Sequence, residues 1–339
     1  FADDPARSFV IGWGTGVSVG ELAALDEAEE VVVAEISPGV MDAAPLFDIG
    51  NLNASKNPKV KVLRSDAYRA LLRSGGQYGV ISSEPSNPWV AGVEMLFSRE
   101  FLEAARARLT PGGVYAQWFH LYETDAESVG LVLRTYLEVF DEVAVWQTQP
   151  SDVILLGFMN EERALDLNRL LRRAQQPDFA RRLRRLGIGG PAILLVHEWL
   201  PLGVLKSADL EGPIHTLERP LLSHTAGRAF FRGGGARPPF TGYGEPARVG
   251  QQNSLLARYL ARFDGKLPPR LRERLANRAC ETDLVLFSCW TLLADWSRAA
   301  PKAPALRKMI HAWPPAQRSG FEGRLRRLRW LLGDENVRI

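Results

Sequence analysis

Glu84, Asn87 and Trp89 stand within six residues of one another in Ser82-Ser83-Glu84-Pro85-Ser86-Asn87-Pro88-Trp89. A carboxylate, an amide and a large aromatic are held between two prolines, directly after the apolar run Tyr78-Gly79-Val80-Ile81. Proline has no N–H for a sheet ladder and excludes helix for the residue before it, so the chain must leave the sheet here. In an open α/β sheet, ligands bind in the crevice outside the carboxyl ends of the strands. Polar groups on a stiff loop at such a place are candidates for chemistry, and the plain alternative is a turn with a solvated Glu84.

Two other stretches weigh on that choice. Phe9-Val10-Ile11-Gly12-Trp13-Gly14-Thr15-Gly16 reads as a strand entering a glycine turn, where a backbone without Cβ atoms can approach a ligand closely. Glu35 follows at the end of a second apolar run, placed to accept both ribose hydroxyls of a nucleoside. Asp66 follows at the end of a third, placed to accept from an adenine amino group. A dinucleotide site has its third glycine one residue later and a pyrophosphate on the helix N-terminus. Here the spacing is G-x-G-x-G, and acids on strands two, three and four suit a cationic sulfonium nucleoside better. S-adenosylmethionine or a relative is the expected ligand.

The elements that must position these residues alternate from Ser8 to Met159. Strands are expected at Ser8–Gly14, Glu30–Ile36, Val60–Leu63, Tyr78–Ser82, Val114–Phe119, Val143–Gln147 and Val153–Phe158, the last two as an antiparallel pair. Helices are expected at Val17–Leu25, from Pro38, at Ala67–Ser74, Met95–Leu109 and Ala126–Phe140. The Met95–Leu109 helix is expected to be stopped by Thr110-Pro111-Gly112-Gly113. Fully apolar runs such as Val31-Val32-Val33-Ala34 belong to strands covered on both faces. The alternation predicts a doubly wound, mostly parallel seven-stranded sheet of the Rossmann-like type, with a C-terminal all-helical region.

Charge divides the chain in the same place. Residues 1–159 hold 11 Lys+Arg against 22 Asp+Glu, and the remainder holds 31 against 17. The expected organisation is a nucleoside-binding domain (1–159), a helical extension packed on it (160–231), a Gly/Pro-rich linker (232–250) and an Arg-rich helical region (251–339). An apolar helix is expected around Ile193–Leu200. Cys280 and Cys289 read as buried thiols, and five scattered histidines lack metal-ligand spacing, so no metal is expected. No run of ~18 uncharged apolar residues occurs, which predicts a soluble chain. The sequence opens at Phe1 almost directly on its first strand, and an upstream segment is expected.

These motifs together resemble the polyamine aminopropyltransferases, or spermidine synthases, and within them the bacterial spermidine-synthase-like proteins fused to a membrane segment. The resemblance rests on the Gly12–Gly16 turn, Val33-Ala34-Glu35, Arg64-Ser65-Asp66-Ala67, Glu84-Pro85-Ser86-Asn87-Pro88, Leu96-Phe97-Ser98-Arg99-Glu100-Phe101, and Pro111-Gly112-Gly113 through Gln117. It covers about residues 8–159, with a looser likeness at His215–Leu221. It implies transfer of an aminopropyl group from decarboxylated S-adenosylmethionine to an amine, with methylthioadenosine as product and no metal. It also implies that Gly12, Gly14, Thr15, Gly16, Glu35, Ser37, Asp66 and Ala67 hold the nucleoside, and that Glu84 and Asn87 stand where the family's Asp-x-x-Asp handles the amine. Trp89, Gln117 and Tyr122 would be walls of the substrate site. Thr15, Ser37 and Asn87 replace acids of the family pattern, and the family's N-terminal hairpin is absent from this sequence.

Two other functions fit the residues. Ser86-Asn87-Pro88-Trp89 is similar to the loop that holds an amino group in amino-methyltransferases, and a non-catalytic nucleoside-binding scaffold would use the basic helices as its working surface. Those helices, around Arg181–Arg185 and Arg324–Arg329, read as solvated faces, as docking surfaces for the acidic half or for a second copy in a homodimer, or as contacts with an anionic membrane. No aromatic-interleaved platform for nucleic acid is present. The expected location is the cytoplasm, with membrane association through a segment upstream of Phe1.

Overall fold

The computed structural model describes residues 1–149, 152–159, 165–186, 188, 190–195, 197–208 and 210–236, together with 255, 258, 259 and 262. The helices expected after Gln251, both cysteines and the Arg324–Arg329 run lie outside the described residues, as does most of the expected linker. The chain divides into two units, residues 1–143, 151–164 and 210–239 in the first, and 144–150, 165–209 and 240–339 in the second.

The first unit carries the site. Its elements are β1 (Arg7–Ile11), α1 (Val17–Ala23), β2 (Glu30–Glu35), α2 (Pro38–Ala43), β3 (Val60–Arg64), α3 (Ala67–Arg73), β4 (Tyr78–Ser83), α4 (Arg99–Arg106), β5 (Leu109–His120) and α5 (Ala126–Val139). Strands β3, β2, β1, β4 and β5 lie side by side in that order, all parallel. The order reverses between β1 and β4, which makes a switch point of the kind at which α/β sheets bind ligands.

Helix ends are set by local chemistry. Ser37, Asp66, Ser98 and Asp125 each accept from a backbone N–H in the first turn of α2, α3, α4 and α5, satisfying donors that a helix start leaves open. Val10, Val31, Val33, Val19, Ala23 and Trp13 pack together under the first crossover. Gly20 is needed there, since a Cβ on it would lie 1.8 Å from the Asn51 carbonyl oxygen. On the other side, Tyr115 stacks on Phe140 at 5.6 Å and 14°, and Phe101, Leu102 and Tyr136 are fully buried.

The seven expected strands form, but the described residues hold eight, and two helical expectations are corrected. The predicted Met95–Leu109 helix is a short 3-10 turn (Glu94–Phe97) followed by α4, because Ser98 turns extended to cap α4. Strand β5 begins at Leu109 and includes Pro111-Gly112-Gly113, the stretch expected to lie before it. The strands after α5 are β6 (Glu142–Gln149) and β7 (Asp152–Phe158), the latter antiparallel to β5 from Val114↔Phe158 to His120↔Asp152.

In the second unit, α6 (Leu167–Gln175) and α7 (Pro177–Arg185) are the basic helices. The apolar Ile193–Leu200 segment is not one helix: α8 (Pro191–Leu195) ends before β8 (Glu198–Leu200), which pairs antiparallel with β6. Trp199 and Leu200 are buried in the strand while Leu195 ends the helix, a division that periodicity alone does not draw in a short apolar run. Strand β8 is followed by α9 (Val204–Ser207).

The first unit closes with α10 (Leu221–Arg232), reached through a strap tied to the domain at several points. The Arg134 guanidinium donates to the Pro213 carbonyl at 2.8 Å, and the His215 N–H donates to Thr135 Oγ1 at 2.9 Å. His215 is fully buried: Nε2 donates to the Glu94 carbonyl at 2.9 Å, while Nδ1 accepts from Leu222 N at 3.3 Å. Those two bonds fix its tautomer. After α10, Gly235 bridges to Tyr122, and the Ala236 N–H donates to the Leu121 carbonyl at 2.7 Å.

Candidate functional site

The carboxyl ends of β3, β2, β1 and β4 carry, in that spatial order, Asp66, Glu35, the glycine turn and Glu84. With neighbouring parallel strands ~4.8 Å apart, the row spans roughly 14 Å.

Its centre is the Gly12–Gly16 turn. Gly12, Gly14 and Gly16 have φ of 83°, 56° and 75°, a left-handed region open to glycine with little strain. Cβ atoms built on Gly12 and Gly14 would meet nothing within 4 Å, so the turn keeps open space beside its backbone. Gly16 differs, because a Cβ there would lie 2.7 Å from Asn51 Nδ2 and 3.0 Å from the Trp13 ring. Trp13 is buried beneath the turn, in the core with Val10 and Val19. Thr15 is exposed, and its carbonyl accepts from Asn51 Nδ2 at 2.9 Å.

Glu35 holds the turn in place. Oε2 accepts from the Trp13 N–H at 2.8 Å and Oε1 accepts from the Ser37 N–H at 2.7 Å, with the side chain 6% exposed. Each oxygen keeps a second lone pair for a ligand hydroxyl. Ser37 and Asp66 serve as helix caps: Ser37 Oγ accepts from Val40 N at 3.4 Å, and Asp66 Oδ1 accepts from Arg69 N at 2.9 Å. Ala67 is the buried first residue of α3.

Glu84 leaves β4 into an exposed position, where Oε1 accepts from the Ser18 hydroxyl on α1. That bond links the β4 loop to the glycine turn's helix, a contact that no local sequence signal marked. Asn87 is half-buried, with Oδ1 accepting from the Tyr122 hydroxyl at 3.3 Å. Trp89 lies edge-on to Tyr122 at 6.3 Å and stacks on Phe230 of α10 at 4.8 Å.

Gln117 is placed differently from Trp89 and Tyr122. It has no exposed surface; Nε2 donates to Ser83 Oγ at 3.3 Å and the Leu96 carbonyl at 3.1 Å, and Oε1 accepts from the Tyr136 hydroxyl at 2.5 Å. It braces β4 against β5 and α5 from inside. Burial pushes the Tyr136 hydroxyl well above its ordinary range, so it stays a neutral donor to Gln117.

His120 is the residue that sequence reasoning passed over as one of five scattered histidines. It ends β5 fully buried, beside Trp89 at 4.6 Å and Tyr122 at 4.8 Å. Desolvation pushes its pKa down to about 4, so the imidazole is neutral near pH 7. A titratable residue at the last position of a strand on the ligand edge was the available signal.

The fold and this edge define a doubly wound α/β domain whose candidate site sits at the sheet's switch point. Residues 2–153 match the family model of the spermine/spermidine synthase domain. Among curated relatives, a spermidine synthase of Dictyostelium discoideum is 30% identical over 34% of this chain and 43% of its own length. A polyamine aminopropyltransferase 2 of Pseudomonas aeruginosa is 27% identical over 54% and 52%. The chain thus spans about half the length of the curated relatives it matches. Among solved structures, a spermidine synthase from Thermotoga maritima is similar with a TM-score of 0.42 and 19% identity, over 52% of this chain and 61% of that one.

Among the described residues, no group of three or more His, Cys, Asp or Glu is arranged to hold a metal ion, and no helix is long and apolar enough to cross a membrane.

Proposed function

We propose that this domain transfers an aminopropyl group from decarboxylated S-adenosylmethionine to an amine, leaving methylthioadenosine. The observation that carries the reading is the single hydrogen-bonded corner in which Glu35 grips the glycine turn and Ser18, two residues beyond it, grips Glu84. The open space beside Gly12 and Gly14 suits close approach of a ligand, and Glu35 has lone pairs left for a ribose diol. Asp66 lies at the adenine end of the row and Glu84 at the sulfonium end.

The donor supplies a carbon already activated by its sulfonium. The chain has to hold it, orient the amine and take up a proton. The amine nitrogen forms the new C–N bond as the C–S bond breaks, the electron pair returns to sulfur, and the released ammonium proton goes to Glu84. Asn87, oriented by Tyr122, adds a neutral polar contact beside the carboxylate.

Calorimetry with decarboxylated S-adenosylmethionine, methylthioadenosine and S-adenosylmethionine tests the reading. Binding of the first two is expected, preference for S-adenosylmethionine would move the assignment to methyl transfer, and binding of none would remove it. In Glu84→Gln, transfer should fall by about 10²–10⁴-fold with nucleoside affinity nearly intact; equal turnover in the variant would overturn the role of Glu84.

A further inference from the structure

His120 is buried with no hydrogen-bond partner on Nδ1 or Nε2. Polar atoms in that state cost folding free energy, and most buried polar groups avoid it. The surroundings are aromatic: Trp89 stands perpendicular at 4.6 Å, Tyr122 lies at 4.8 Å, Phe119 at 5.1 Å and Trp118 at 5.7 Å. Phe230 extends the cluster by stacking on Trp89. Trp89 belongs to the same proline-bounded loop as Glu84, and Asn87 of that loop is tied to Tyr122. The cluster therefore adjoins the loop that carries Glu84.

Two features set what ligand the cluster can take. The rings offer apolar surface, and the imidazole, kept neutral by burial, offers one N–H donor and one bare nitrogen acceptor. That pair matches a hydroxyl, which both donates and accepts. Asp152 lies opposite His120 across β5 and β7 and accepts from the Trp118 indole N–H at 3.0 Å; a second ammonium would otherwise leave water for the neutral groups Asn87, Tyr122 and His120, and ring faces compensate only part of that loss. The carboxylates that follow on the chain, Glu94 and Glu100, are near enough to His215 to act on its charge.

Resting on the aminopropyl-transfer reading, we infer that Trp89, His120, Tyr122 and Phe230 form the acceptor pocket and select a primary amine with one ammonium group and an apolar body ending in a hydroxyl, with His120 the specificity-determining residue. The ammonium meets Glu84, Trp89 turns aside, and the hydroxyl pairs with the His120 ring.

The test is calorimetry on the methylthioadenosine-saturated protein with three amines that differ at one end: 4-amino-1-butanol, butylamine and 1,4-diaminobutane. The amino alcohol is expected to bind about tenfold or more tighter than either of the others, since a site built to pair a hydroxyl rejects analogues lacking it. His120→Phe should make the amino alcohol and butylamine equal, and His120→Gln, which keeps a donor and an acceptor, should restore most of the difference. A diamine that binds as tightly as the amino alcohol, or a preference unchanged in His120→Phe, overturns the inference while leaving nucleoside binding and the transfer reading in place. A protein that fails to bind methylthioadenosine removes both together.

Discussion

At Glu35 both carboxylate oxygens are claimed by backbone N–H groups, whereas at His120, three strands across the same sheet edge, neither ring nitrogen has a partner. Both side chains are buried and both end a strand. The first corner is a structural joint as well as a candidate ligand site, because its acceptor fixes the glycine turn. The second holds polar capacity in reserve among aromatic rings, a state that costs stability and becomes useful when a ligand satisfies it. The contrast separates residues that build the site from residues that wait for its occupant.

Removing Glu35 should have the largest effect. Glu35→Ala leaves the Trp13 and Ser37 N–H groups without their acceptor, and charged hydrogen bonds of this kind are worth ~1.5–3 kcal/mol each. A loss of about 3 kcal/mol in urea unfolding is expected, together with loss of nucleoside binding; a variant as stable as the parent would show that the joint is not structural.

The His120 corner should show itself in acid. Its folded pKa, about 4, lies below the ordinary histidine value of 6.5, so the unfolded chain binds more protons between those pH values. The stability tied to a neutral His120 is fully present above about pH 6.5 and is lost as pH falls toward 4. His197 and His215 are shifted in the same direction by burial, so the parent alone does not isolate it. His120→Phe should flatten the decline by about 2–3 kcal/mol between pH 7 and pH 4. Parallel stability curves for parent and variant would mean that His120 is solvated in solution.

The smallest expected effect is at Ser18, where the bond to Glu84 is exposed. Ser18→Ala should change stability by less than about 0.5 kcal/mol, within the range of ordinary surface substitutions. A several-fold drop in turnover, with nucleoside affinity kept, is expected if the hydroxyl orients Glu84. Unchanged turnover would make the contact incidental.

The parallel sheet, its strand tips and the nearness of the glycine turn to Glu35 are legible along the chain, because these depend on local rules. Apolar runs of strand length, helix-starting caps and a turn that needs positive φ are written within a few residues of each other. The same locality explains the misses. Met95–Leu109 has helical periodicity, but Ser98 takes the cap position and interrupts it. Ile193–Leu200 is apolar enough for a helix until β6 supplies a strand partner for Glu198–Leu200. Packing across distant segments is what turns Gln117 into the core and brings Trp89, His120, Tyr122 and Phe230 together. His120 and Phe230 are brought together through a strap in which His215 bonds to a carbonyl 121 residues earlier in the chain. Contacts across such separations are selected by the packing of the whole sheet and its covering helices, and no short window of sequence holds them.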